Sequence, residues 1–252
     1  MHHFFVQPSQ IQGRTLVLDG QQAHQIARVL RLQVGQRIRV LDNTGWQYDV
    51  ELSGIDRDSV CARILDRRMN HAEPGVNMVL FQALLKREKF EWVLQKATEV
   101  GFCRIVPVQT QRSLVRDIRK IGPDRLQRWQ KIAQEAAEQC ARGRMPRIDG
   151  PVSFQEALEQ TRGMDGRFIA WTHAGRAIDT LVSPSAVRTI GLLIGPEGGF
   201  SEQEVALARE AGVASIHLGP RILRTETASI VAGTLLLHAC GDARAPEIRA
   251  YA

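Results

Sequence analysis

The chain has 252 residues, near the upper limit for one compact core, so one large domain or two unequal ones are expected and a small disulfide-stapled scaffold is excluded. Hydrophobic residues make up 44% and charged residues 24%, which supplies a sizeable core and argues against wholesale disorder. No apolar run reaches the length of a membrane span, and the start MHHFFVQPSQ lacks the features of a secretory signal; Cys61, Cys103, Cys140 and Cys240 form no CxxC. A cytoplasmic protein with reduced thiols, no membrane association and no metal is expected.

Net charge is +6, and its placement is informative. Residues 1–72 carry a balance of +2, residues 73–150 one of +6, and residues 151–252 one of −2, with 28 of the 33 basic residues being arginine. The planar guanidinium fork suits phosphates and base edges, which makes nucleic acid the leading partner; a solvated surface is the plain alternative.

The first 72 residues read as a small β-rich domain. Arg37–Asp42, Tyr48–Gly54 and Ser59–Leu65 alternate apolar and polar positions, with a turn at Asn43–Gly45. Between them, His24–Leu32 has a helical pattern. Spacing by four and three puts His24, Arg28 and Arg31 on one face, with Ile26, Val29 and Leu30 turned inward. Arg67–Gly75 has turn formers and little periodicity, so the linker is placed there.

From Met78 onward strands and helices alternate, the signature of a mainly parallel α/β sheet over residues 73–252. MVLFQALL (Met78–Leu85) reads as a buried strand, and Phe90, Val93, Leu94 and Ala97 mark a helix ending at Gly101. Pro123 opens a long helix with Leu126, Trp129, Ala133, Ala136 and Cys140 on its apolar side and Gly143 beyond its end. Further strands are expected at Arg167–Thr172, Thr189–Ile194 and Ala214–Leu218.

Two segments carry the chemistry. In IGPEGGFSEQEV a strand runs into Gly195, Gly198 and Gly199, and Ser201 with Glu204 forms a capping box opening a helix. Glycines at the carboxyl edge of a sheet allow a ligand to approach the backbone closely, although a tight strand-to-helix turn alone would use the same residues. Neither GxGxxG nor GxxxxGK[ST] is present, so the ligand is something other than a polyphosphate. LGPRILRTETASIVAGTLLLHA (Leu218–Ala239) repeats the grammar, with Arg221, Arg224, Thr225 and Glu226 ahead of an almost wholly apolar helix that must be buried in the monomer core or at a subunit interface. Two such turns around Ile222 and Leu223 would form an apolar slot suited to an adenosine.

GPEGG at Gly195–Gly199, LGPRILRTETA at Leu218–Ala228, QKATEVG at Gln95–Gly101, EAAEQCAR at Glu135–Arg142 and VLRL at Val29–Leu32 together resemble the bacterial small-subunit (16S) ribosomal RNA uridine-N3 methyltransferases, the RsmE family of the SPOUT superfamily. The resemblance spans nearly the whole chain in the expected order. It implies a PUA-like RNA-binding β-barrel over residues 1–72, a SPOUT-type domain with a C-terminal trefoil knot over residues 73–252, S-adenosyl-L-methionine as methyl donor, and a homodimer acting on small-subunit ribosomal RNA or the assembled subunit. The cofactor would be held by Ile194, Gly195, Pro196, Glu197, Gly198 and Gly199, and by Leu218, Gly219, Ile222, Leu223, Arg224, Thr225 and Ala228. A third loop would follow the strand ending at Thr172, where Thr172 and His173 match no stated pattern.

Uracil N3 bears an imide proton, and its loss spreads negative charge over two ring oxygens. Arg224 is expected to stabilise that anion. Glu226 is the nearest carboxylate, either catalytic or paired with an arginine; at a helix start the dipole favours its charged form. RNA contacts are expected from His24, Arg28 and Arg31, and beside the active site from Lys86, Arg87, Arg112 and Arg142. A SPOUT enzyme with another RNA acceptor, or a non-catalytic RNA-binding ribosome-assembly factor, are the alternatives; cofactor binding and product mapping would separate them.

Overall fold

The computed structural model describes residues 1–115, 118–182 and 187–242. They divide into two compact units, one comprising Met1–Glu73 with Gln134–Met145, the other Pro74–Ala133 with the chain from Pro146 onward.

The first unit is a curled six-stranded sheet. Its strands are β1 (His3–Phe5), β2 (Ile11–Gln12), β3 (Thr15–Asp19), β4 (Arg37–Leu41), β5 (Trp46–Ile55) and β6 (Ser59–Met69), in the order β1-β4-β5-β6-β3-β2. Only β1 and β4 pair in parallel. Period-two alternation sends Leu16, Leu18, Ile38, Val40, Val50, Leu52, Val60 and Ala62 into one core. At the β4–β5 turn the Asp42 carboxylate accepts the Thr44 and Trp46 N–H groups and the Tyr48 hydroxyl, while Asn43 takes a left-handed φ of 62°. β6 runs through Met69, paired with Trp46, and the Arg67 guanidinium lies 4.0 Å over the Trp46 ring, so the segment expected as linker from Arg67 is strand for three more residues.

The helix expected over His24–Leu32 differs. α1 (Gly20–His24) passes into a π turn over Gln25–Val29, closed by the Leu30 N–H on the Gln25 carbonyl at 2.9 Å, and Arg31 is left-handed with φ 51°. The wider turn rotates Val29 out to 64% exposure while Ala23 and Ile26 stay in the core. His24, Arg28 and Arg31 are all exposed, but not through the single α-helical face that their spacing suggests.

The second unit comprises β7 (Asn77–Ala83), α2 (Arg87–Val100), β8 (Arg104–Gln109), α3 (Pro123–Gln139), β9 (Arg147–Ile148), β10 (Val152–Ser153), α4 (Phe154–Thr161), β11 (Gly166–Ala170), β12 (Thr189–Ile194), α5 (Glu202–Glu210), β13 (Ala214–Ile216) and α6 (Thr225–Ala239). α3 is shared: from Gln134 on it belongs to the first unit. The strand order is β10-β8-β7-β12-β11-β13, with β9 beside β8, and every pairing is parallel. Helices cover both faces, which is why the strands read as apolar runs. Met78 and Leu80 of β7 pack in the core with Phe90, Val93 and Leu94 of α2 and Leu236 of α6. Val79 and Phe81 pack in the other with Phe154 of α4 and Val205 of α5.

The apolar α6 lies in the monomer core on one side. A Cβ on its Gly233 would come within 2.6 Å of the Phe102 ring, so glycine permits close packing against the end of α2. Leu235 faces outward. Among the described residues no helix is long and apolar enough to cross a membrane.

Gln134–Met145 holds a correction. Arg142, expected as an RNA contact beside the active site, is 2% exposed, with Nη2 2.8 Å and Nε 3.3 Å from the two Glu73 oxygens. Glu73 Oε1 also accepts the Arg144 N–H at 3.0 Å. A guanidinium so buried is a structural partner, since an unpaired charge there would be costly. Arg142→Met is expected to lower stability by about 2–4 kcal/mol, because it strands Glu73; chemical denaturation should show a much smaller loss for Arg144→Ala.

Candidate functional site

The carboxyl ends of β11, β12 and β13 feed three turns. β12 runs into Gly195, where a Cβ would sit 3.1 Å from both the Phe200 ring and the Phe200 nitrogen; a larger residue would push the turn open. Gly199 adopts φ 68° and its N–H bonds the Pro196 carbonyl at 2.9 Å, closing the turn. Ser201 and Glu204 form the expected capping box. Glu204 is buried, and its second oxygen accepts the Gln111 N–H at 2.8 Å. That bond draws the loop after β8 onto the start of α5, and Arg112 Nη1 donates to the Gly198 carbonyl at 2.9 Å. Glu197 pairs with Lys89 at 3.1 Å.

The turn before α6 is tied to the first by a buried polar chain. The Thr225 hydroxyl donates to the Gly195 carbonyl and accepts from Gln82 Nε2 at 3.2 Å; the Ser229 hydroxyl donates to Gln82 Oε1. Gln82, Thr225 and Ser229 are all buried, so each bond replaces one that water would otherwise make. Two turns far apart in sequence are thereby fixed to each other through the central strand β7.

The third wall is Ala170–His173. The Trp171 and His173 rings lie 5.2 Å apart, and the Thr172 hydroxyl is 3.2 Å from His173 Nδ1. Together the three turns enclose a cleft of about 670 Å³, within the range of small-molecule sites. His217 also lines it, and Gly219, at φ 97°, donates its N–H to His217 Nδ1 at 3.3 Å. Arg224 caps α6 with extended backbone and an exposed side chain. Glu226, in the first turn, forms no ion pair among the described residues, and its buried Oε2 has no hydrogen-bond donor. Among the described residues no group of three or more metal-ligating side chains is assembled.

Residues 72–237 match the model of an RNA methyltransferase domain, and residues 18–65 that of an RNA methyltransferase PUA domain. The chain belongs to this RNA methyltransferase family. A relative named ribosomal RNA small subunit methyltransferase E, from Bacillus subtilis, is 33% identical over 242 residues, covering 92% of this chain and 94% of its own. One of the same name from Synechocystis is also 33% identical, over 92% of this chain and 75% of its own. The crystal structure of ribosomal RNA small subunit methyltransferase E from Neisseria gonorrhoeae, bound to S-adenosyl methionine, superposes with a TM-score of 0.87 at 30% identity, over 94% of this chain and 97% of that one.

Within this methyltransferase fold, Ile194–Gly199 and Leu218, Gly219, Ile222, Leu223, Arg224, Thr225 and Ala228 all line the one cleft. Their parts differ. Thr225 turns its hydroxyl inward to the Gly195 carbonyl, whereas Ile222, expected inside an apolar slot, is 87% exposed. Of the expected RNA contacts, Lys86 and Arg87 are exposed, Arg87 being 3.3 Å from Glu91, and Arg112 is bound to the glycine turn. Sequence reasoning missed Gln82, Glu204 as a two-sided clamp, and the cleft positions of Trp171 and His217, while Thr172 and His173 lie on the third loop it expected. A glutamine inside the apolar run MVLFQALL was the available signal for the first, since a buried amide demands partners.

Proposed function

We propose that this chain methylates N3 of a uridine in small-subunit ribosomal RNA with S-adenosyl-L-methionine as donor. The observation that supports the reading most is the pair of glycine turns, clipped together by Gln82, Thr225 and Ser229 around a cleft that also holds Arg224 and Glu226. The cleft residues fit the donor: Gly195 lets the first turn close tightly on Phe200, and the turns offer amides and carbonyls for an adenosine. Backbone groups of Ile194–Gly199 and Leu218–Ala228 would hold it. Bound there, it supplies a methyl group on a positively charged sulfur, already activated for transfer.

The protein must orient the acceptor, exclude water and manage one proton. At the acceptor an N–H bond breaks, an N–C bond forms and the proton leaves to solvent, the sulfur departing as a neutral thioether. Arg224, always protonated and exposed at the head of α6, stabilises the charge on a ring oxygen. Glu226, which lines the cleft, relays the imide proton.

RNA contact is assigned to His24, Arg28 and Arg31 of the first unit and to Lys86, Arg87 and Arg112 of the second. Replacing Arg28 and Arg31 together by alanine should reduce the slope of log affinity against log salt by about 1.4–1.8, if each neutralises one phosphate; filter binding at several salt concentrations measures it. The homodimer, the cytoplasmic location and the knotted passage belong to the same proposal. The sheet order supports the knot: the chain leaves β12 at the centre, passes outside β11 to β13, and returns in α6 against β7 and β12. The deciding experiment incubates the protein with labelled donor and unmodified small subunits and maps the methylated base. Label at N3 of one uridine is expected; no label, or label on another nucleotide, overturns the reading.

A further inference from the structure

The site has one donor whose chemistry is set by the backbone. Gly219 N–H can only donate, so His217 Nδ1, 3.3 Å away, must carry its lone pair there. A neutral imidazole bound in this way has its proton on Nε2, and a protonated ring could not accept the bond at all. The same contact spans residue i to the N–H of residue i+2, which fixes the ring relative to the turn that Gly219 makes at φ 97°. His217 therefore presents a neutral, pre-oriented N–H donor in a residue that lines the cleft.

Of the other donors that line the cleft, Lys89, Arg112 and Arg221 are cations, the first two paired with Glu197 and the Gly198 carbonyl; the Thr225 proton goes to the Gly195 carbonyl, and the Trp171 ring lies against the His173 ring. His173 does not qualify on geometry, because either atom of its contact with the Thr172 hydroxyl can be the donor. Loss of the N3 proton puts charge on two ring oxygens, and Arg224 answers one of them. A second cation beside a positively charged sulfur would repel it, whereas a neutral imidazole N–H stabilises the oxygen without that cost.

Resting on the methyltransferase reading above, we propose that His217, as its Nε2–H tautomer, donates to the second uracil carbonyl and stabilises the imide anion during transfer. His217→Asn keeps the turn and withdraws the donor, because an asparagine oxygen also accepts the N–H two residues on while its amide N–H groups stop short of the position that Nε2 occupies. The expected result is a fall in kcat on the order of 10²-fold, as for removal of one oxyanion donor, with calorimetric affinity for S-adenosylmethionine and the unfolding midpoint unchanged. His217→Phe, which loses turn and donor together, should weaken the cofactor as well. Nitrogen-15 shifts of the ring should report the Nε2–H form. A kcat for the asparagine variant within threefold of wild type, a loss confined to cofactor affinity, or an Nδ1–H ring each overturns the proposal. A wild-type chain that leaves uridine N3 untouched overturns this and the parent reading together, so the two failures are distinct.

Discussion

Arg224→Lys is expected to lower methyl transfer on the order of 10²- to 10³-fold while leaving S-adenosylmethionine affinity within about threefold. The argument is one of shape as well as charge. Arg224 sits at the head of α6 with extended backbone and its side chain exposed in the cleft, and no carboxylate among the described residues engages it. Its guanidinium is a planar fork whose several donors can meet a delocalised anion, whereas an ammonium is a compact, strongly hydrated point charge that holds its water. Lysine thus keeps the field and loses the geometry. The adenosine is left to backbone groups of the two turns, so its binding should be indifferent to the exchange. Single-turnover transfer to small subunits, set beside calorimetry with the donor, tests both halves. Equal transfer by the lysine variant would refute the need for the fork, and a large loss of donor affinity would move Arg224 from the acceptor to the cofactor.

The two turns were legible because glycine and charge punctuate apolar runs. GPEGG and LGPRILRTETA stand out against TIGLLI and the apolar helix after Thr225, and both line the cleft. The parallel sheet was legible for a related reason: strands covered on both faces read as unbroken hydrophobic stretches. Where the reading failed, a tertiary effect had no local signature. The π turn at Gln25–Val29 closes its hydrogen bond one residue further along than an α-helix does, which spacing of four and three cannot reveal, and it put Val29 into solvent. Arg142 looked like any exposed arginine until Glu73, distant in sequence, closed on it. The segment Gln134–Met145 belongs to the first unit although it starts inside a helix begun in the second, a change of unit that no local pattern announces. His217 is informative only through the N–H of a glycine two residues on, a contact that depends on backbone angles rather than composition.

Thr225→Val should cost about 2–4 kcal/mol of stability and weaken donor binding at least about tenfold. Valine matches threonine in shape, so packing changes little. The hydroxyl, however, stands at the middle of the buried chain, giving its proton to the Gly195 carbonyl and taking one from Gln82. Its removal leaves that carbonyl without a donor, and of the two contacts that Gln82 Nε2 makes, only the one to the Ala83 carbonyl at 3.2 Å is left. Both groups are shut away from water, where an unpaired polar atom costs far more than a hydrogen bond gains. The cheapest relief is for the Gly195 turn to move outward until water reaches it, and that motion opens the wall of the cleft. Stability and donor affinity should therefore fall together, a coupling that simple loss of a surface contact would not produce. Thr225→Ser keeps the hydroxyl and drops only a methyl group, and should recover most of both quantities. Urea denaturation and calorimetry on the three proteins give the answer: a valine variant with wild-type affinity would mean that the turns hold their shape without the buried chain.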